Sequence, residues 1–196
     1  LGKFTLRYSN GSLISVGGSD LDSQVLLDDF LLTHKLTGHT EFKVITPITS
    51  VMYFMNTASN INSALGIDNS IDVLSFDPVA NKGDGGINDY VYEKGNQLTI
   101  IAYAFQNLSN DLKTGTDKTQ DYFKAIAEEL EKEYNESNVR VDIESEAFIS
   151  KVLENLILLK ALEISDESKE NTINAMSGLL PIIQVKTDDN ITTSLI

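Results

Sequence analysis

The hydrophobic pattern changes its period at Thr46-Pro47, and that change governs what the chain can become. Before it, apolar and polar residues alternate in short runs, as in strands that face a core on one side. Residues 3–9 set Phe4, Leu6 and Tyr8 against Lys3, Thr5 and Arg7. Asn10-Gly11 follows, a dipeptide that tolerates the positive φ of a tight hairpin turn. Residues 12–16 read as the returning strand, and residues 30–36 and 41–45 as two more, separated by Thr37-Gly38-His39-Thr40. After the switch the spacing is helical. Thr46 suits a helix cap, and Pro47 suits the first helical position, where its missing N–H costs nothing.

Helices are predicted over 47–59, 61–66, 90–112, 118–135, 145–162 and 167–180. Their apolar stripes include Leu98, Ile101 and Phe105, then Tyr122, Ile126 and Leu130, then Phe148, Val152 and Leu156. Ser165-Asp166 caps the last helix and Pro181 stops it. A few strands need a covering layer to bury their apolar face, and the helices can supply it. The expected fold is therefore α+β: a short N-terminal β portion, a hairpin plus two strands over about 1–46, packed on a bundle of about five to six helices over about 47–188. Residues 1–188 read as a single module, with the polar stretch 189–196 as a linker. A chain of this size can bury roughly 70% of its unfolded surface, enough for one good core.

Charge removes several classes of function. Asp and Glu number 29 against 15 Lys and Arg, a formal net charge of -14, with a pI of about 4.4. Such a chain repels phosphate backbones and anionic lipid unless its cations cluster, which argues against nucleic acid and anionic membrane surfaces. With no Cys, thiolate zinc sites, disulfide scaffolds and cysteine nucleophiles are excluded. Mean hydropathy is -0.10, and apolar runs such as 156–159 are too short to cross a bilayer, so membrane insertion is not expected. The chain begins Leu1-Gly2 without a basic, then apolar, leader, and it reads as a piece of a longer protein. Cys avoidance and acidity fit an extracellular bacterial protein. Crowded carboxylates repel one another, and divalent cations relieve that repulsion.

Two acidic loops carry the candidate chemistry. Residues 77–89 hold Asp77, Asp84 and Asp89 with Asn81 and Asn88 among three glycines. Hard cations take six to eight oxygens, backbone carbonyls included, and glycine lets a chain curl so that they converge. The spacing is not that of an EF-hand. The bland alternative is a flexible loop in which Asp89 caps the next helix. Asp20 and Asp22, after Gly17-Gly18, form the second loop, for which an Asx-turn is the alternative. Tyr90 and Tyr92 follow Asp89 and would flank a cleft there; ordinary packing is again the alternative. His34 and His39 lack a third His for a His-only zinc site, and both are expected to be exposed or half-buried. No G-x-S-x-G, H-E-x-x-H or phosphate-binding glycine motif occurs, so the chain is not read as an enzyme.

Four segments, in order, carry a family resemblance: Val16-Gly17-Gly18-Ser19-Asp20-Leu21-Asp22, Ile45-Thr46-Pro47-Ile48-Thr49-Ser50, Ala64-Leu65-Gly66-Ile67, and Asp72-Val73-Leu74-Ser75-Phe76-Asp77-Pro78-Val79-Ala80. Over roughly residues 12–110 the chain resembles the calcium-dependent peptide-binding domain of large repeats-in-toxin adhesins of Gram-negative bacteria. The resemblance implies Ca²⁺ held by Asp20, Asp22, Asp77, Asp84, Asn88 and Asp89, with ligand contacts from Gly17, Gly18, Thr46, Gly85, Gly86, Tyr90 and Tyr92. It implies capture of the free C-terminus of a peptide or protein on a host or other cell surface, by a monomeric module within a long multidomain chain at the bacterial surface. The Gly-rich stretch 82–88 departs from the generic module, which is Ala-rich there. A calcium-dependent carbohydrate-binding module and a calcium-rigidified spacer are the alternatives; the lack of Trp counts against sugar stacking.

Overall fold

Two strands, β1 (Asn10–Val16) and β2 (Leu31–Thr37), pair antiparallel with Leu13 opposite His34 and Ile14 opposite Thr33. This is seen in a computed structural model that describes residues 10–17, 30–37, 43–83, 85–112 and 119–182. Asn10-Gly11 is not a hairpin turn here. Both residues lie within β1, facing Thr37 and Leu36. Turn propensity is local, whereas β1 finds its partner in the strand that is docked on the helices. The expected strand 3–9 lies outside the described residues. Of the strand expected over 41–45, the described part is not a strand: Val44 donates its N–H to the Leu74 carbonyl at 3.1 Å, in a single bond to a turn.

β2 has β1 on one edge, and helices meet its other edge. Helix α1 (Pro47–Phe54) begins at a capping box, in which Thr46 Oγ1 accepts the Thr49 N–H and Thr49 Oγ1 accepts the Thr46 N–H. The box brings two hydroxyls to the strand. Thr33 donates its N–H to Ser50 Oγ at 2.9 Å, and its carbonyl accepts from Thr49 Oγ1 at 3.1 Å and Ser50 Oγ at 3.3 Å. The Leu31 N–H reaches Thr119 Oγ1 at 3.3 Å. Side-chain hydroxyls thus take the place of a third strand.

α1 ends earlier than its periodicity predicts. A carboxylate interrupts it: Glu131 accepts the Asn56 N–H and amide at 3.0 Å each, and the Thr57 N–H at 2.6 Å. A 3-10 turn (Ala58–Asn60) leads into α2 (Ile61–Leu65), which Gly66 closes at φ +72°. A Cβ there would collide with the Arg140 side chain, so Gly66 answers both the left-handed backbone and the close approach.

Four longer helices complete the order: α3 (Ile87–Leu112), α4 (Thr119–Ser137), α5 (Glu146–Lys160) and α6 (Asp166–Leu179), with a last 3-10 turn (Leu180–Ile182) that contains Pro181. Ser145 and Ser165 cap α5 and α6 through their hydroxyls. α4 lies at the centre, packed on α1, α2, α3, α5 and β2. Its inner face of Tyr122, Phe123, Ala125, Ile126, Ala127 and Leu130 is wholly buried. Phe30 sets its ring edge-on to Phe123 at 5.9 Å and to Tyr103 at 6.4 Å, fixing the sheet to α3 and α4. The architecture is a small α+β fold of one two-stranded sheet and six α-helices among the described residues. None of those helices is long and apolar enough to cross a membrane.

Two tests follow from these contacts. Ser50→Ala removes the acceptor for a buried N–H and should lower unfolding free energy by about 1–3 kcal/mol, measured in urea; Thr172→Ala, on a solvated turn of α6, should change it far less. For Glu131, burial works against ionisation, but the N–H donors of Asn56 and Thr57 outweigh it and hold the carboxyl below its ordinary 4.5. Its folded pKa lies under the unfolded one, so its stabilisation is complete above about pH 4.5 and is lost as pH falls through the folded value. Glu131→Gln should remove that part of the acid dependence, read as a flatter plot of melting temperature against pH below 4.5.

Candidate functional site

The loop before α3 is shaped by its own carboxylates. Asp77 Oδ1 accepts the N–H groups of Val79 and Ala80 at 3.0 Å each, an Asx-type turn. The Asn81 amide closes back on the Asp77 carbonyl at 2.7 Å. Gly83, Gly85 and Gly86 then take φ of +92°, +78° and +66°. Space does not demand glycine at these positions, since an added Cβ would meet nothing within 4 Å; the left-handed backbone does.

Asp89 gathers the loop. Its side chain is buried at 7% exposure, with Oδ1 on the Gly83 N–H at 2.6 Å and Oδ2 on the Gly85 N–H at 3.0 Å. The Gly86 carbonyl takes the first helical bond of α3, from the Tyr90 N–H at 3.1 Å. An acidic residue in the first turn also faces the positive end of the helix dipole. Asp89 therefore clamps the loop and does not cap α3: it lies inside the first turn, and its carboxylate holds N–H groups that precede the helix. Asn88 is half-buried beside it.

Tyr90 and Tyr92 have different roles. Tyr90 donates its hydroxyl to the Leu65 carbonyl at 2.8 Å, accepts from Arg140 Nη1 at 3.4 Å, and lies under Lys94 Nζ at 5.3 Å from the ring centre. It is a strut between α3 and the end of α2. Tyr92 is half-buried, with Lys82 Nζ 5.1 Å over its ring. Gly17 and Thr46 are structural as well. Gly17 donates to the Phe30 carbonyl at 2.9 Å, closing the end of the sheet, and Thr46 caps α1.

The carboxylates expected to converge are thus seen at two described positions, Asp77 and Asp89, where they hold backbone N–H groups. Gly18, Asp20, Asp22 and Asp84 lie outside the described residues. Among the described residues no group of three or more His, Asp or Glu is gathered that could hold a metal ion. Asp77, Asn88 and Asp89 by themselves fall short of the six to eight oxygens that calcium takes.

Sequence reasoning missed a polar network beside this loop. Buried Lys94 donates to Gln97 Oε1 at 2.8 Å and Glu144 Oε1 at 2.6 Å, and Gln97 Nε2 reaches the Leu180 carbonyl at 3.1 Å. Burial opposes ionisation of Glu144, but the bond and charge of Lys94, with Gln97 and Arg140, hold its carboxyl below the usual carboxylate range. Tyr90, Lys94 and Gln97 share one helical face, a signal that was present; Glu144 is fifty residues from Lys94 in sequence, and no pattern links them. His34 also departs from expectation. It is wholly buried, not exposed or half-buried, as is its neighbour Thr33. His39 lies outside the described residues.

Asp89→Ala should release the two glycine N–H groups. We expect the Gly83 and Gly85 amides to lose hydrogen-exchange protection and stability to fall by about 1.5–3 kcal/mol, while far-UV circular dichroism keeps its helical amplitude. Compared with known protein families, curated proteins and solved structures, the chain matches none.

Proposed function

We propose that this chain is a ligand-binding module of a bacterial surface adhesin, not an enzyme, and that its recognition surface is the loop 77–89 with the first turns of α3. The observation that supports this reading is the clamp of Asp89 on Gly83 and Gly85, which holds a glycine-rich loop in one shape beside Tyr92 and Lys82. A pre-shaped loop with exposed backbone and an aromatic wall suits a peptide end, since little order is lost on binding. The ligand class we assign is the free C-terminus of a peptide or protein on a host or other cell surface. The resemblance to repeats-in-toxin adhesin domains supports that class and the extracellular, cell-surface setting. Calcium, when bound, would supply the positive charge that a chain of net charge -14 lacks toward an anionic chain end.

A second reading is favoured by the same clamp. Asp89 already satisfies the loop with backbone donors, so the loop can serve as a rigid joint in a structural spacer with no ligand at all. A calcium-dependent sugar module is the third possibility.

One experiment separates them. Peptides with free and with amidated C-termini are titrated into the protein in calcium and in chelator, with thermal unfolding recorded alongside. The peptide reading expects binding that falls at least about tenfold, or ~1.4 kcal/mol, on amidation. Calcium at one hundred times its dissociation constant should add about 2.7 kcal/mol of stability. An unchanged melting curve removes calcium from the proposal. Calcium stabilisation without peptide or glycan binding selects the spacer, and competition by simple sugars selects the carbohydrate module.

A further inference from the structure

His34 has no exposed surface, and neither Nδ1 nor Nε2 has a hydrogen-bond partner among the described residues. A neutral imidazole carries one donor and one acceptor; protonated, it carries two donors and a unit charge. The Val44 backbone lies close enough to favour the charged ring in part, but burial outweighs it, so enclosing the imidazolium remains costlier than enclosing the neutral imidazole. Among the described residues, the strand that holds it meets the helices through few hydrogen bonds. Thr33, its neighbour, meets α1 through the Ser50 and Thr49 hydroxyls at 2.9 to 3.3 Å. Thr33 Oγ1 is itself buried with no partner among the described residues. Leu13 of β1 stands opposite His34, so the imidazole and β1 would move together.

We propose that His34 is an acid-operated release for the β layer: protonation of the buried imidazole drives it toward water and undocks β2, with β1, from α1.

Among the described residues the surrounding charges are few. β1 contributes no ionisable side chain over Asn10–Val16, and α1 contributes only Tyr53. Burial is the main influence holding the imidazole below its ordinary 6.5; the backbone of Val44 opposes it, Lys43 adds to it, and Asp72 opposes it. On α4, Asp121 pairs with Lys160 and Lys124 with Glu128. Glu129 meets Lys132 and Lys151, and Glu131 holds Asn56 and Thr57. Among the described residues the charges of Lys43 and Asp72 act in opposite directions, and burial is the largest influence. The unfolded chain binds the proton near 6.5 and the folded chain only below it. The stabilisation from keeping His34 neutral is therefore complete above 6.5 and declines as pH falls from there toward the folded value. Ordinary carboxylates titrate lower, near about 4, so the window from about pH 6.5 to about pH 5 belongs to histidine.

The test is amide hydrogen exchange of the full chain at about pH 7.5 and about pH 5, corrected for intrinsic rates, with an NMR titration of the His34 ring. Protection of the Thr33 amide should fall at least about threefold more than that of Val152 in α5, and the ring should titrate below 6.5. His34→Leu should abolish the differential loss, and His39→Gln should leave it intact. Equal protection at both pH values, or a loss that persists in His34→Leu, overturns the proposal. Should His34→Leu fail to fold, the wild-type data decide: a ring that titrates at or above 6.5 with β2 still protected also overturns it.

Discussion

A two-stranded sheet buried against helices has one edge too many, and the fold depends on how that edge is satisfied. Buried backbone N–H and C=O groups must be paired, and an open edge inside a protein cannot turn to water. β2 solves this with hydroxyls. Ser50 and Thr49 answer Thr33, and Thr119 answers Leu31. Their placement fixes more than the strand. The Thr46–Thr49 box sets where α1 begins, which sets which turn of α1 faces β2. Thr119 Oγ1 also donates to Gln106 Oε1 at 2.7 Å, so the start of α4 joins β2 to α3. Hydrophobic packing supplies most of the driving force, but it is non-directional. The hydroxyls decide the register.

The acidity of the chain acquires a local meaning. Asp68 accepts the Ser70 N–H, Asp72 the Leu74 N–H and Ser75 hydroxyl, Asp77 the Val79 and Ala80 N–H groups, and Asp142 the Glu144 N–H. Asp89 and Glu131 do the same across longer spans. The hydrogen bond from Ser75 holds Asp72 below its ordinary range, and the Ser70 backbone does so for Asp68. These carboxylates act as turn and helix-end clamps, and their charge is met by backbone dipoles. An excess of acid in a sequence is therefore no measure of its demand for cations.

The Lys94 network ties together parts of the chain that hydrophobic contact alone would leave free to slide. Lys94 and Gln97 on α3 reach Glu144 before α5 and the Leu180 carbonyl after α6. Tyr90, under the same ammonium, reaches the end of α2. A partly buried ion pair of this kind adds little net stability on its own. Its geometry is directional, though, and it sets the angle at which the first turn of α3, and so the loop ahead of it, is presented.

The sequence alone determined the α+β class, the helix starts at Thr46-Pro47, Ser145 and Ser165, and the buried stripes of α3, α4 and α5, because capping and periodicity are local properties that residue order encodes directly. It also marked Asp89 as a residue of consequence, as ligand or as cap. The partner of β1 was not legible: Asn10-Gly11 carries a turn signal, yet pairing is chosen by which strand the helices can hold. Nor was the early end of α1, which is stopped by Glu131 from another helix. The burial of His34 and the union of Lys94 with Glu144 were likewise hidden, since both depend on which surfaces meet. Tertiary structure decided these matters because a carboxylate or an imidazole has no fixed role until folding sets its distance from a backbone N–H, a cation or water.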